Sequence, residues 1–465
     1  MTIGDKRKRR VPAWVETRSI DYVPAAERRG KVWHQAPFWF AGNFVLTTMM
    51  VGFTGPLLGL GVGWSILAVA LGVSLGTLLM ACHANQGPRL GLPQMIQSRA
   101  QFGRRGAVLP FMAVVFIYIG FNVFDVILAA DAIAVVAAAP RSVSYALLIA
   151  AAGIVSIVGH DLLHVVQRWL TGLLILIFGA LSLALCVRLA ASGGVAMGAF
   201  AWPAWLAQGT AAAAYQLSYS VYVSDYSRYL PEETPAARLI GWTWLGAAGS
   251  ALWLMSLGAA LAGEQASPDA IQSLKRLGDG LAPGFGSLAV LAAAPALVGI
   301  MAVNFYGATL TGLSVLDAVR PAPRGLAFRV GGVALFAVAV WLAALGLPAD
   351  YLASFHIFVA LMLYLLVPWS AVNLMDFYGV RRGRYVIRDI LLADGVYGQW
   401  SRPGLLSYLG GLLAMSPFAA VGAYVGPAAA ALGGVDLSLA VGLLASGGTY
   451  WVLSRNGAVA AAWER

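Results

Sequence analysis

The sequence predicts an all-α integral membrane protein with about twelve transmembrane helices. Three observations lead there. Of its 465 residues, 60% are hydrophobic and 11% charged, which lies outside the composition of soluble domains. Apolar runs long enough to cross a hydrocarbon core of about 30 Å recur along the whole chain. The charges gather in the short stretches between those runs, as a bilayer requires.

Residues 1–35 read as a cytosolic tail, polar and basic, with Lys6-Arg7-Lys8-Arg9-Arg10 and Glu27-Arg28-Arg29-Gly30-Lys31 and no visible cleavable signal. Spans follow at 37–58, 63–85, 108–138, 142–160, 167–190 and 205–225. A second set falls at 238–263, 286–316, 328–347, 351–377, 404–426 and 434–453. The organisation is then a core of ten helices over 36–400, two further helices over 401–453 and a cytosolic C-terminal tail over 454–465. Two connectors carry structure of their own. Pro93 to Phe102 fits a short amphipathic helix on the inner membrane surface, and the polar loop from Gly263 to Gly284 fits a short outer helix.

Lysine and arginine set the orientation. With a cytosolic N-terminus and twelve spans, 26 of the 30 basic residues lie inside and Arg141, Arg188, Lys275 and Arg276 lie outside. Both termini are therefore expected in the cytosol, with the protein multi-pass in the cell's inner (plasma) membrane.

Several function classes drop out. A net charge of +10 invites a nucleic-acid partner, but the basic residues sit in short connectors rather than on a soluble domain. Cys82 and Cys186 both fall in apolar runs, so neither a disulfide framework nor a metal site is indicated. There is no G-x-x-x-x-G-K-[ST] loop, H-E-x-x-H or G-x-S-x-G in a strand–helix context, so enzyme chemistry is not expected. With no ATP site and no ATPase subunit evident, uptake would draw on an ion gradient; no cofactor is expected beyond a coupling cation, H⁺ or Na⁺.

Polar groups inside apolar spans are costly, so they form the functional shortlist. In the first span, Gly42-Asn43 precedes Gly52, Gly55 and Pro56. That pattern fits a helix interrupted at a cavity, or a tight glycine packing face. In the third, Phe121, Asn122 and Asp125 sit near mid-depth, with Phe121 and Asp125 on one face and Asp131 nearly two turns beyond. A carboxylate there lines a wet site, handles a proton, or is hydrogen-bonded within the bundle. Asn304, in the eighth span, offers a ligand an amide or bridges two helices. His356 near the outer end of the tenth reads as a satisfied packing residue, and His160, Asp161 and His164 as an interfacial solvated cluster. Tyr215, Tyr219, Tyr222, Tyr226 and Tyr229 recur at helical spacing, as a packing stripe or the edge of a site.

The stretch Ser224-Asp225-Tyr226-Ser227-Arg228-Tyr229-Leu230-Pro231 resembles the signature that follows the sixth helix in purine–cytosine permeases of the nucleobase–cation symporter family, the first of that name. Glu27 to Lys31 leading into Trp39-Phe40-Ala41-Gly42-Asn43, the connector from Gln94 to Gly103, and Asn304 to Ser314 are similar to that family in order and spacing. The resemblance implies a leucine-transporter-like fold. Helices 1–5 and 6–10 would be inverted repeats, helices 1 and 6 unwound at the centre, and two helices added.

The same resemblance implies a site. A flat heterocycle would stack between Phe121 and Tyr219, with Ser218 at the helix-6 break, Asp125, Ser218 and Asn304 bonding its edge, and Asn43 as a further contact. Two departures matter. Relatives often carry an amide where Asp125 stands, and a carboxylate favours a ligand rich in N–H groups or positive charge. Sodium-driven relatives have two hydroxyl residues just before the Asn304 position, where this chain has Ala302 and Val303. Proton coupling with Asp125 as carrier is therefore expected over sodium. The implied activity is import of a planar N-heterocycle, such as cytosine or a purine, by alternating access. The alternatives are an amino-acid or other small-solute transporter of the same fold class, a channel, and a membrane-embedded enzyme.

Overall fold

The computed structural model describes residues 21–137, 139–158, 160–265, 269–320, 325–348 and 351–455, with backbone alone at 158 and over 160–168. The ends of both tails and the side chains of His160, Asp161 and His164 lie outside the described residues. Among the described residues, helices follow in chain order at the twelve places the sequence assigns to spans. Helix α1 is bent by 72° between an inner half ending at Asn43 and an outer half starting at Leu46. Then come α2 (Val62–Ala84), α3 (Val108–Ala134), α4 (Arg141–Val158) and α5 (His160–Ala191). Helix α6 runs over Trp202–Ser218 and resumes at Val223–Ser227, with a 3₁₀ turn at Tyr219–Val221 between. The rest are α7 (Ala236–Gln265), α8 (Phe285–Val319), α9 (Leu326–Gly346), α10 (Leu352–Leu374), α11 (Arg402–Met415) and α12 (Ser438–Arg455). Seven are long and apolar enough to span a bilayer by length and composition, or eight with bent α1 counted as one. The chain is thus a multi-span, all-α membrane protein.

The broken helices sit where the sequence places small and polar residues. At the α1 break Phe44 leaves the helical region and Val45 is extended. Thr48 Oγ1 caps the freed Asn43 carbonyl at 2.7 Å, a local substitute for the missing helical donor. Around the breaks the helices pack through small residues. A side chain at Gly72 or Gly76 of α2 would run into the α6 carbonyls of Gly209 and Ala213, so α2 and α6 meet backbone to backbone. The other main seam joins α3 to α8.

The outer loop contains the expected short helix, Ala270–Asp279, capped by Asp269 accepting from Gln272 N at 2.9 Å. Three expectations need correction. The eleventh helix stops at Met415, not near 426, because Pro417 ends it and a hairpin follows, β1 (Ala420–Val421) against β2 (Tyr424–Val425), with Gly422 in the left-handed region. The connector from Pro93 to Phe102 forms two short helices, Gln94–Gln97 and Arg99–Phe102, that are buried rather than laid on the membrane surface. Their polar groups reach inward: Trp369 Nε1 donates to Ser98 Oγ at 2.9 Å, and Gln101 Nε2 to Asp376 Oδ2 at 2.7 Å. The tyrosines do not share one helix face, since the α6 break separates them. Their rings still form a series, Tyr215–Tyr219–Tyr222–Tyr226, with centroids 5.8, 5.7 and 6.5 Å apart.

Candidate substrate site

The breaks of α1 and α6 meet at Asn43. Its Nδ2 donates to Ala247 O of α7 at 2.8 Å and to Gln216 Oε1 at 3.2 Å. Its Oδ1 accepts from Tyr219 O–H, the first residue of the α6 break, at 3.1 Å. Because a backbone carbonyl only accepts, the Ala247 contact fixes which way the Asn43 amide points. Gln216 Oε1 also accepts from Thr77 Oγ1 of α2 at 3.2 Å, so α1, α2, α6 and α7 are tied together at one depth.

Facing this knot is α3. Thr47, in the first turn after the α1 break, donates its hydroxyl to Asp125 Oδ1. Thr48 Oγ1 lies 2.9 Å from the Tyr215 hydroxyl. Asp125 is 2% exposed, and among the described residues no cation pairs with it. An unpaired charge at that depth is costly to bury, which makes this carboxyl a candidate for function.

The aromatic surroundings differ in detail from the expected sandwich. Phe121 meets Tyr215 edge-on at 5.5 Å and Phe358 of α10 at 5.2 Å, while Tyr219 lies one ring further along, against Tyr215 and Trp39. Ser218 turns its hydroxyl back onto Tyr215 O at 2.6 Å, which caps the end of the first α6 segment. Asn304 bridges helices: its Nδ2 donates to Asn122 Oδ1 at 3.0 Å, and Asn122 Nδ2 to Met301 O at 3.3 Å. Ala302 lies in an apolar cluster of α3, α4, α8 and α9, and neither it nor Val303 brings a side-chain oxygen to α8.

The structure therefore gathers Asn43, Tyr219 and Asp125 around the two breaks, with Phe121 beside them, and puts Asn304 in the α3–α8 seam. Sequence reasoning missed Thr47, Thr48 and Gln216. The adjacent Thr47-Thr48 pair in an apolar run was the available signal, since it follows Asn43 by one turn.

Cavities lie on both sides. Towards the outer loop, a cavity of about 470 Å³ is lined by Met50, Asp131, Arg141, Asp269 and Tyr351, with Asp131 and Arg141 paired at 3.5 Å. On the opposite side, a crevice of only about 10 Å³ runs from Tyr118 past Val221 and Gly307 to Asp225 and Ser314. Above it Tyr118 and Tyr222 stack at 6.0 Å, and Asp225 Oδ1 accepts from Gln94 N at 2.7 Å. Below it Asp317 receives both Arg99 (3.0 Å) and Arg104 (3.2 Å). Burial pushes the Arg99 guanidinium down from its usual range, and Asp317 opposes that shift. A lateral pocket of about 320 Å³ between α6 and α10 holds His356, whose Nε2 is buried with no partner, contrary to the satisfied packing residue expected there.

Similar proteins agree with this architecture. Residues 22–442 match the family model described as "Permease for cytosine/purines, uracil, thiamine, allantoin". YxlA of Bacillus subtilis, assigned as a purine–cytosine permease, is 35% identical over 447 residues, covering 95% of this chain and 96% of its own. The purine–cytosine permease FcyB of Emericella nidulans is 25% identical over 404 residues, covering 81% and 76%. Among solved structures, Mhp1 in an inward-facing conformation superposes with a TM-score of 0.75 at 16% identity, over 94% of this chain and 93% of its own. Mhp1 in a closed conformation with bromovinylhydantoin bound gives 0.72 at 16% identity, over 95% and 96%. These neighbours share with this chain the leucine-transporter-like fold. By its family match and its near-full-length relative, the chain belongs to the nucleobase–cation symporter family of permeases and is a membrane transporter, not an enzyme.

Proposed function

We propose that the protein imports a planar N-heterocycle, a nucleobase such as cytosine or a purine or a related compound, by cation symport and alternating access. The observation that carries this reading is the Thr47–Asp125 hydrogen bond between the α1 break and α3. It supports the reading because a carboxylate lies beside the Asn43 knot, with the rings of Phe121, Tyr215 and Tyr219 around them. A hydantoin, the ligand named for the closed Mhp1 structure, is likewise a flat ring bearing N–H groups. Stacking on Phe121 and the tyrosines would contribute about 1 kcal/mol per contact. Asp125 and Asn304 would bond the ligand's edge, and Ser218 would act through the backbone at the α6 break.

We favour the proton as coupling ion. Asp125 is the ionisable group next to the α1 break, and Ala302 and Val303 offer sodium no side-chain oxygen on α8. The protein would lie in the inner (plasma) membrane with both termini cytosolic, following the distribution of its basic residues.

The test is uptake of labelled heterocycles in cells. Transport should be independent of sodium, abolished by a protonophore, and cut sharply by Tyr219→Ala and by Asp125→Asn at unchanged membrane expression. Normal transport by both variants would overturn the site, and sodium-dependent uptake that ignores the protonophore would overturn the coupling. Competition by amino acids instead of nucleobases would support the small-solute alternative.

A further inference from the structure

Asn122 stands on α3 between Phe121 and Asp125, and its amide settles a polarity that the sequence leaves open. Met301 O can only accept, so Asn122 must present Nδ2 to it, at 3.3 Å. Asn122 Oδ1 is then the atom that meets Asn304, and Asn304 must answer with its Nδ2, at 3.0 Å. The chain of amides is thus anchored at a backbone carbonyl and has one direction. Its free end is Asn304 Oδ1. Among the described residues no side-chain or backbone donor reaches that oxygen, and it is not sealed in the packing. The same holds for Asp125 Oδ2, because Thr47 occupies Oδ1. Asn122 and Asp125 are three apart on α3 and so share a face, with side chains about 5–6 Å apart at their bases.

We propose that Asn122 is a positioning residue that fixes Asn304 with its oxygen towards the ligand, so that the loaded site binds a heterocycle together with one proton on Asp125. This inference rests on the substrate reading above. With Asp125 ionised, the two open oxygens are both acceptors. A neutral ligand would also leave the buried carboxylate without a counter-charge, which is costly at this depth. The titratable groups within electrostatic reach of Asp125 are Tyr215, Tyr219 and Tyr222 of α6, and none of them is a cation. Thr47 of α1 is its hydrogen-bond donor, and no charged group from α8 or α10 acts on it among the described residues.

A proton on Asp125 Oδ2 turns that oxygen into a donor and leaves Asn304 Oδ1 an acceptor. The pair is then complementary to an edge that carries an N–H beside an acceptor. Amidine edges of aminopyrimidines and aminopurines have this form, and so do lactam edges of oxo-bases. Heterocycles whose N–H at that edge is replaced by N-alkyl groups do not. The proton comes from solution, resides on Asp125 Oδ2 or is shared with the ligand's ring nitrogen or carbonyl oxygen, and leaves with the ligand.

The test is calorimetry on the purified protein with cytosine, uracil, adenine, N4,N4,1-trimethylcytosine and 1,3-dimethyluracil, the last two without any N–H, in two buffers of different ionisation enthalpy. The expected result is net proton uptake that rises towards one proton per unmethylated ligand as the pH of the assay is raised, and about tenfold or greater loss of affinity for the methylated partner. Asp125→Asn removes the titratable carboxyl, so whatever binding it retains should carry no proton uptake. Asn122→Leu frees the Asn304 amide to turn, so the preference for the unmethylated ligand should collapse towards unity. The wild-type proton count and the Asp125→Asn variant decide the matter even where Asn122→Leu does not fold. Binding without proton uptake, or equal affinity for methylated and unmethylated ligands, overturns this inference and leaves the heterocycle reading standing. Binding of no heterocycle at all, by heat or by thermal shift, overturns both.

Discussion

Thr47 donates its hydroxyl to the carboxylate of Asp125, joining the first turn of the outer half of α1 to the middle of α3. The two residues are 78 apart in sequence, and their bond crosses the gap where α1 loses its own helical bonding. It therefore reports on the site and on the α1–α3 spacing together.

Removing that donor should weaken ligand binding without unfolding the protein. In the loaded site Thr47 orients the protonated acid, and a hydrogen bond between neutral groups is worth about 0.5–1.5 kcal/mol, so Thr47→Val, which keeps the shape, should raise the apparent KM for uptake about threefold to tenfold. Thr47→Ser restores the hydroxyl and should restore most of the affinity. Uptake kinetics across the pair check this; equal kinetics for Thr47→Val and wild type would contradict it.

Asn43 should matter more to stability than any other member of the site. Its amide serves Ala247 O, Gln216 Oε1 and the Tyr219 hydroxyl, all buried. Asn43→Ala takes this partner from Ala247 O and the Tyr219 hydroxyl and leaves Gln216 Oε1 with Thr77 alone, in a place water does not reach readily, at about 1–3 kcal/mol for each group left unsatisfied. The expected outcome is a fall in melting temperature of several degrees in detergent and loss of transport. Tyr219→Phe deletes only one of the contacts and should cost about 1 kcal/mol, giving a small shift in the same assay.

Much of this arrangement was legible in the sequence, and the limits are physical. Asn43, with the glycines and proline after it, marked the α1 break, because those residues are what a chain uses when backbone groups must turn towards a cavity. The breaks are local, so local composition reveals them. The Asn122–Asn304 bridge joins residues 182 apart, and its direction depends on a carbonyl that every residue carries, so no residue type signals it. The eleventh helix failed for a related reason. Apolarity extends through Ala420 and Val421, but Pro417 and Gly422 turn that stretch into a hairpin. The mixed polarity of the connector from Pro93 to Phe102 matches an interface and so predicts a surface helix. Its polar groups are instead bonded inside the protein.

Asp376 is the strongest structural anchor on the side of the molecule away from the outer loop. It is fully buried and accepts from Gln101 at 2.7 Å, Arg381 at 2.9 Å, Tyr385 at 2.7 Å and Tyr450 at 2.8 Å. These four donors come from the connector before α3, the residues after α10, and α12. Arg381, just past the end of α10, is itself held above its ordinary pKa: burial works against its charge, but Asp376 and the tyrosines around it outweigh that. Asp376→Ala leaves the guanidinium buried without its partner and should destabilise by about 3–5 kcal/mol. Asp376→Asn keeps the shape and part of the hydrogen bonding and should cost less. Expression level and detergent melting temperature of the two variants should fall in that order.

The crevice beneath the site makes the last prediction. At about 10 Å³ it is far below the several hundred Å³ that a ligand pocket needs, so no heterocycle passes through it in this conformation. The stacked rings of Tyr118 and Tyr222 stand at its head, one from α3 and the other from the α6 break. Thr311 lines its wall. A cysteine placed at Thr311, in a background where Cys82 and Cys186 are serine, should react slowly with a small polar maleimide while the ring pair is intact. Tyr222→Ala removes one ring and opens the head of the crevice, so the same cysteine should react several-fold faster. Tyr222→Phe keeps the stack and should label at the original rate. The contrast between these two variants separates the ring from its hydroxyl. If both label alike, the closure lies elsewhere along the crevice, at the Asp225–Gln94 contact, where Asp225→Asn would then be the substitution that raises the rate.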